Sequence, residues 1–321
     1  MSVLASGEFW AFVGVVAGIY TLLGLGIQLE FGLAGLLNFG HVAFMAIGAY
    51  TMAILVVKAG WSMWLATPLA VLAAATAGVV LGLPTVRLRA DYFAIVTIAF
   101  SEIVRYVATN EDRLTGGSQG TINLAGAGQA ASYNGQWERF QSWFQGALHL
   151  GSKDVAMLLI VWAAALASCA ALWAAGRTPW GRVLRAIRED EDAASSLGKN
   201  VFAFKLQALA LGSALAGLAG CFYAWQFSFF SPNDFAPLLT FFAWMIVILG
   251  GLGRFFAVPV GAVVFGVLFA GTRFFDFAPF SWFDSAERAY LRLIVIGLAI
   301  IGLVVFRPQG LFGRREELVL D

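Results

Sequence analysis

The sequence is poor in charge. Only 12% of its 321 residues are Asp, Glu, Lys or Arg, where a soluble domain carries roughly 25%. The charges nearly cancel, 20 basic against 19 acidic. An electrostatic nucleic-acid binder needs a basic excess and a disordered acidic protein needs an acidic one, so both classes are excluded. Cysteine is scarce too. Cys169 and Cys221 each lie inside an apolar run, which leaves no disulfide framework and reads both as small buried hydrophobes. The only histidines, His41 and His149, stand far apart, and no H-E-x-x-H or Cys/His ligand spacing occurs, so neither a His-based triad nor a metal site is expected. There is no phosphate loop: Gly198-Lys199-Asn200 lacks the upstream glycine and the hydroxyl residue. No catalytic residue is assigned and no cofactor is expected on this chain.

What the sequence has in excess is apolar surface: 60% hydrophobic residues and a mean hydropathy of +0.81. So much cannot face water, and the chain reads as an all-α polytopic integral membrane protein. A span needs about 20 mostly apolar residues. Nine runs qualify or nearly so: Phe9–Leu29, Leu36–Val57, Trp64–Leu83, Tyr92–Thr109, Val155–Ala175, Leu206–Ser228, Leu238–Gly250, Phe256–Phe275 and Leu291–Phe306. The first is not read as a cleavable signal, because no basic residue precedes it. The second is interrupted by Gly35, Asn38, Gly40 and His41, and the seventh is short and Gly-terminated. The expectation is therefore about nine transmembrane helices, eight to ten depending on these two runs. Such breaks are tolerated at membrane depth only where protein or a water-filled cavity covers them, and in transporters they mark substrate paths.

Basic residues set the orientation. Arg177, Arg182, Arg185, Arg188, Lys199 and Lys205 crowd one loop, and Arg307, Arg314 and Arg315 lie in the tail. The positive-inside rule places both in the cytoplasm, with the N-terminus outside. The chain is then one transmembrane domain, 1–321, with an external loop at 110–154, a cytoplasmic loop at 177–205 and a cytoplasmic tail at 307–321. Within 110–154 the aromatic stretch Trp137–Phe144 reads either as an interfacial helix or as an ordinary connector. Small residues four apart, Gly14/Gly18, Gly212/Ala216 and Ser213/Gly217, allow close helix approach in lipid.

Three polar groups stand out. Glu102 and Arg105 are three residues apart on one helical face inside a run, reading either as a latch between helices or as an ion pair lining a path. Asn38 and His41, beside Gly40 and followed by Phe44, form a polar edge that either binds a ligand or satisfies unwound backbone. The third, Gly181–Lys205, reads as one short amphipathic helix stopped at Gly198, with Val183, Leu184, Ile187 and Ala194 apolar between charges. Its shape suits docking on a soluble partner or a solvated connection.

Six blocks carry a family resemblance: GLAGLLNFGHVAFMAIGAYT, LPTVRLRADYFAIVTIAFSEIVR, LTGGSQG, RAIREDEDAASSLGKN, ILGGLGRFFAVPVGA and FRPQGLFG. In this order they resemble branched-chain amino acid ABC-transporter permeases of the LivM-like group, over most of the chain. The resemblance implies a permease for branched-chain or other neutral amino acids in the bacterial inner membrane. It implies a heterodimer with a second homologous permease, two cytoplasmic ATPase subunits that hold ATP and Mg, and an extracytoplasmic amino-acid-binding protein. Arg185, Ala186, Ile187, Arg188, Glu189, Asp190, Glu191 and Gly198 then match the loop that couples to the ATPase. Asn38, His41, Phe44, Glu102 and Arg105 are the path candidates. Related permeases move urea or short amides, which is one alternative. The other is an ion-coupled secondary transporter, for which Glu102 is the deep acid seen in the sequence.

Overall fold

In the computed structural model of the chain, the described residues are 7–121, 124, 135–148, 153–227, 229–271, 310–312 and separate positions between 291 and 305. Helices account for nearly all regular structure, and no strand occurs among the described residues. Five helices are long and apolar enough to span: α1 (Gly7–Glu30), α3 (Met63–Thr85), α4 (Ala90–Asn110), α7 (Lys153–Arg177) and α10 (Val201–Gln226). Three shorter apolar helices are α2 (Val42–Val57), α11 (Leu238–Gly250) and α12 (Ala257–Gly271). The remainder are α5 (Asp112–Thr115), α6 (Gly135–Leu148), α8 (Pro179–Glu189) and α9 (Glu191–Ser196). The run at Leu291–Phe306, the tail 307–321 apart from 310–312, and His149 lie largely or wholly outside the described residues.

The broken runs take definite form. The second run holds a single helix that begins only at Val42, after the irregular stretch 31–41. The ten-span alternative therefore finds no second helix there. With 13 residues, α11 is about 20 Å long at 1.5 Å per residue, short of the roughly 30 Å hydrocarbon core. The single helix expected over Gly181–Lys205 is corrected. Asp190 has extended backbone (φ −155°, ψ 107°) and its side chain accepts from Ala193 N, so it ends α8 and caps α9. Gly198, at φ +75°, then stops α9, and Lys205 already belongs to α10.

A helix apolar on every face must turn every face to protein or to lipid. For α1 it is mostly protein: 72% of its apolar window is buried, against 28–39% for the other long helices, so it is the central post. It packs on α7, α10, α11 and α12, while α10 also packs on α2 and α3. Small residues set these crossings. Trp162 Nε1 donates to Gly14 O at 2.9 Å across the α1–α7 contact. At the α2–α10–α3 contact a Cβ on Gly48 would lie 2.7 Å from the Gly217 carbonyl carbon, and one on Gly78 would lie 2.8 Å from Ser213 Cβ. The recurrence of small residues thus acquires named partners.

The ends of α1, α3 and α7, the helices α8 and α9, and the turn 251–256 meet at one arginine-rich end. Here Arg188 Nη1 donates to Gly32 O at 2.6 Å and Arg87 lies over the Phe202 ring. At the opposite end α6 is amphipathic. Its buried Trp137 stacks on Trp225 at 4.6 Å while Trp143 is exposed, and Gln136 ties it to the start of α3 through Met63 N at 2.9 Å. The LTGGSQG block is anchored through the residue that follows it: Thr121 N donates to Phe230 O at 3.1 Å and Phe230 N to Thr121 Oγ1 at 3.2 Å.

Candidate functional site

The irregular stretch between α1 and α2 carries the first site. Backbone N–H and C=O groups inside a membrane protein must find partners within the protein. Side chains from three directions supply them. Phe39 N donates to Thr97 Oγ1 of α4 at 3.1 Å, and Val42 N to Thr240 Oγ1 of α11 at 3.0 Å. Gly40 N donates to Asn38 Oδ1 at 3.0 Å, and Trp244 Nε1 to Asn38 O at 2.9 Å. Asn38 Nδ2 donates to Glu30 Oε2 at 2.9 Å and lies 3.5 Å from His41 Nδ1, which is itself 3.4 Å from Glu30 Oε1. Glu30, Asn38 and His41 are at most 1% exposed. Gly26 and Gly212 make room for them, since a Cβ on Gly26 would strike His41 Nε2 and one on Gly212 would strike the Glu30 carboxyl. Phe44 stands beside the centre, its ring 6.0 Å from that of His41.

The depth follows from helix rise. Thr97 is seven residues into α4 and Gly212 eleven into α10, so the centre lies about 10–16 Å in from the arginine-rich helix ends at 1.5 Å per residue. Two polar atoms there, Glu30 Oε1 and His41 Nε2, have no hydrogen-bond partner among the described residues. The backbone of the break is therefore laced shut, while its side chains keep unused capacity for hydrogen bonding. Asn38 and His41 do meet, as their spacing implied. Glu30 is the member that sequence reasoning missed. Its signal was an acid ending the first apolar run directly before the glycine-broken segment.

Glu102 and Arg105 are not part of this centre. They form their own pair farther along α4: Arg105 Nη2 donates to Glu102 Oε2 at 2.6 Å and Nε to both carboxylate oxygens at 3.2 Å. Arg105 Nη1 also donates to Asn233 Oδ1 at 3.1 Å, which latches α4 to the turn Pro232–Phe235. The side chains are 30% and 19% exposed, respectively, on a helix that also presents Tyr92, Ile95, Ile103, Tyr106 and Val107 outward.

The third group divides by direction. Leu184, Ile187 and Ala194 are buried, as an amphipathic segment requires. Glu189, Asp190 and Glu191 are exposed, and Ala186 is outward as well. Glu191 ion-pairs with the buried Lys205 of α10, tying α9 to the bundle. Arg185 and Arg188 turn back, donating to Gly176 O and Gly32 O. Gly198 has no atom near its missing Cβ and is needed for its positive φ alone. Among the described residues no group of three or more His, Cys, Asp and Glu side chains could hold a metal.

An all-α bundle of apolar helices, three of them short, with buried polar side chains at membrane depth, defines a multi-pass membrane protein. The chain belongs to the family described as the branched-chain amino acid transport system permease component, whose family model matches residues 10–304. It is 34% identical over 325 residues to the high-affinity branched-chain amino acid transport system permease protein LivM of Salmonella typhimurium, covering 97% of this chain and 73% of that one. It is 35% identical to LivM of Escherichia coli strain K12, over 93% and 69% of the two chains. The Escherichia coli permease LivH is 25% identical over 95% of each chain. No solved structure gave a significant match. This is a family of transport permeases and not of enzymes.

Proposed function

We propose that this chain is one of two homologous permease subunits of an ABC importer for branched-chain or other neutral amino acids in the bacterial inner membrane. Membership of the permease family across residues 10–304 carries this reading. The similarity to both LivM and LivH supports a permease pair. In this reading the whole chain, 1–321, acts as one domain, with the arginine-rich end and the tail in the cytoplasm and 110–154 outside. An extracytoplasmic binding protein delivers substrate at the α6 side, and ATP is hydrolysed on two cytoplasmic ATPase subunits.

The partly exposed Glu102–Arg105 pair supports an assignment of the outward face of α4. A charged pair does not face lipid cheaply, so that face lines the path or meets the second permease. The exposed acids Glu189, at the end of α8, and Asp190, the cap of α9, form the contact with the ATPase, and the Glu191–Lys205 tie passes its movement to α10. A carrier whose ligand must move both helices needs such a rigid connection, because only differential contact in two states transmits a change. Asn38, His41 and Phe44, with Glu30, stabilise the broken segment around which the bundle rearranges.

Reconstituted with the second permease, the ATPases and the binding protein, the chain should support leucine uptake that requires ATP. Uptake that survives ATP depletion but collapses with an uncoupler would favour ion coupling, for which Glu30 is now the deeper acid. In the same vesicles Glu189→Lys should reduce ATP-driven uptake about tenfold, the loss of roughly 1.4 kcal/mol of coupling, while membrane insertion stays normal. Undiminished uptake would remove Glu189 from the interface. Glu102→Gln should lower stability by no more than about 1 kcal/mol, as for a partly exposed pair, yet slow uptake several-fold. Normal uptake by that variant would reduce the pair to a latch.

A further inference from the structure

Arg185 and Arg188 do not stand alone at the bundle side of α8. With Arg177 and Arg254 they line a cavity of about 700 Å³, together with Trp173 and Phe256, and among the described residues no acidic side chain is in its lining. Two of the four guanidinium groups are partly committed, to the Gly176 and Gly32 carbonyls. The side chains of Arg177 and Arg254 make no hydrogen bond or carboxylate pair among the described residues; Arg177 lies over the Trp173 ring, 3.5 Å from its centroid. Arg254 is nevertheless held in place. With the buried Gln28 amide turned so that its oxygen meets donors, that oxygen accepts from Gly253 N and Arg254 N at 2.7 Å each. Each guanidinium carries five N–H donors in a planar fork that matches a phosphate. A pocket with four such groups and no carboxylate among its described lining suits an anion.

The surface leading from the pocket tells which anion. Trp173 and Phe256 touch edge to face at 5.8 Å and are 40% and 53% exposed at its mouth. From Trp173, Leu166 and Leu159 continue along α7 at seven-residue steps, 49% and 44% exposed. From Phe256, Val260, Val263 and Val267 continue along α12 at spacings of four, three and four, 37–42% exposed. Both spacings keep one helical face, so two apolar stripes run from the arginines toward the middle of the membrane. A soluble anion has no use for them, and acyl chains do. Trp and Arg at the end of a span also match the headgroup level of a bilayer.

We propose that this basin binds the phosphate of an anionic phospholipid, whose chains lie along α7 and α12. Arg177 and Arg254 are the phosphate ligands, with Arg185 and Arg188 adding charge from α8. The lipid would then bridge the permease bundle and the α8–α9 element.

Native mass spectrometry of the full chain, exposed to vesicles of equal phosphatidylglycerol and phosphatidylcholine, tests this. The parent should retain phosphatidylglycerol over phosphatidylcholine by about tenfold. Arg177→Gln with Arg254→Gln should bring the ratio near unity, while Arg177→Lys with Arg254→Lys keeps most of it. Should the double glutamine variant not fold, Arg254→Gln alone should lose part of the preference, since that side chain donates no bond to the bundle among the described residues. Four outcomes overturn the proposal. They are no preference in the parent, an unchanged preference in folded glutamine variants, displacement of the lipid by excess inorganic phosphate, and loss of the lipid once the ATPase subunits are assembled. The third would define a site for a free anion and the fourth a protein contact. None of the four bears on ATP-dependent uptake itself, so the transport reading is tested separately.

Discussion

Glu30→Ala should lower the stability of the purified chain by about 2–5 kcal/mol, the cost of stranding two buried polar groups. Glu30 Oε2 is the acceptor for Asn38 Nδ2, and Glu30 Oε1 stands 3.4 Å from His41 Nδ1. Alanine leaves both nitrogens without the carboxylate, with only each other at 3.5 Å, and leaves an empty space against Gly212. The damage would not stop at the carboxyl. Asn38 also holds Gly40 N and, through its carbonyl, Trp244 of α11, so a loosened Asn38 frees the hinge between α1 and α2. Glu30→Gln keeps an oxygen for Asn38 and should cost only about 1 kcal/mol, the scale of one neutral hydrogen bond. The check is the thermal midpoint of the detergent-purified variants, followed by fluorescence-detected size exclusion. Equal midpoints for alanine and parent would mean that the centre adds nothing to the fold.

Much of this architecture is legible in the residues, and the exceptions share a cause. Spans declare themselves because lipid demands long apolar stretches, and the breaks at Asn38–His41 and at Gly250 declare themselves because glycine and polar groups interrupt those stretches. Glu30 escapes for the opposite reason. An acid at the end of an apolar run reads as the water boundary, and only the return of the chain over 31–41 shows that it is buried. The kink at Asp190 is similarly hidden. Glu189 to Asp192 is a string of acids that a helix tolerates, and the break depends on the Asp190 carboxylate capping Ala193 N. The direction of Arg185 and Arg188 is a matter of tertiary contact. Helical spacing puts them on α8 without saying that Gly176 and Gly32 offer carbonyls on its inner side. Neither Glu102 and Arg105 nor Asn38 and His41 could be assigned to one site from spacing, since both groups sit at break or polar positions. The fold separates them, with Asn38 and His41 in the stretch before α2 and Glu102 and Arg105 farther along α4 than Thr97.

The largest loss is expected from the smallest residue in the bundle. Gly48→Leu should prevent recovery of folded permease, a penalty of about 3 kcal/mol or more for overpacking. At this crossing the obstacle is backbone and not a side chain that can turn away: a Cβ would lie 2.7 Å from the Gly217 carbonyl carbon. α2 and α10 would have to separate. Gly220 and Cys221 lie at the same contact, where a Cβ on Gly220 would sit 2.9 Å from the Met45 carbonyl carbon and Cys221 Sγ is 3.8 Å from Gly48 O. Displacing α2 also moves its first residue, Val42, away from Thr240, reopening the break that Glu30 and Asn38 close. The effect should therefore be nearly all-or-none, with loss of both the monodisperse peak and leucine uptake. Gly146 supplies the control. It lies exposed in α6 with open space around it, and Gly146→Ala should be neutral or more stable by about 0.5–1 kcal/mol, since alanine is the better helix former. If Gly48→Leu gave parental yield and uptake, the close approach of α2 to α10 would not be what holds the broken segment in place.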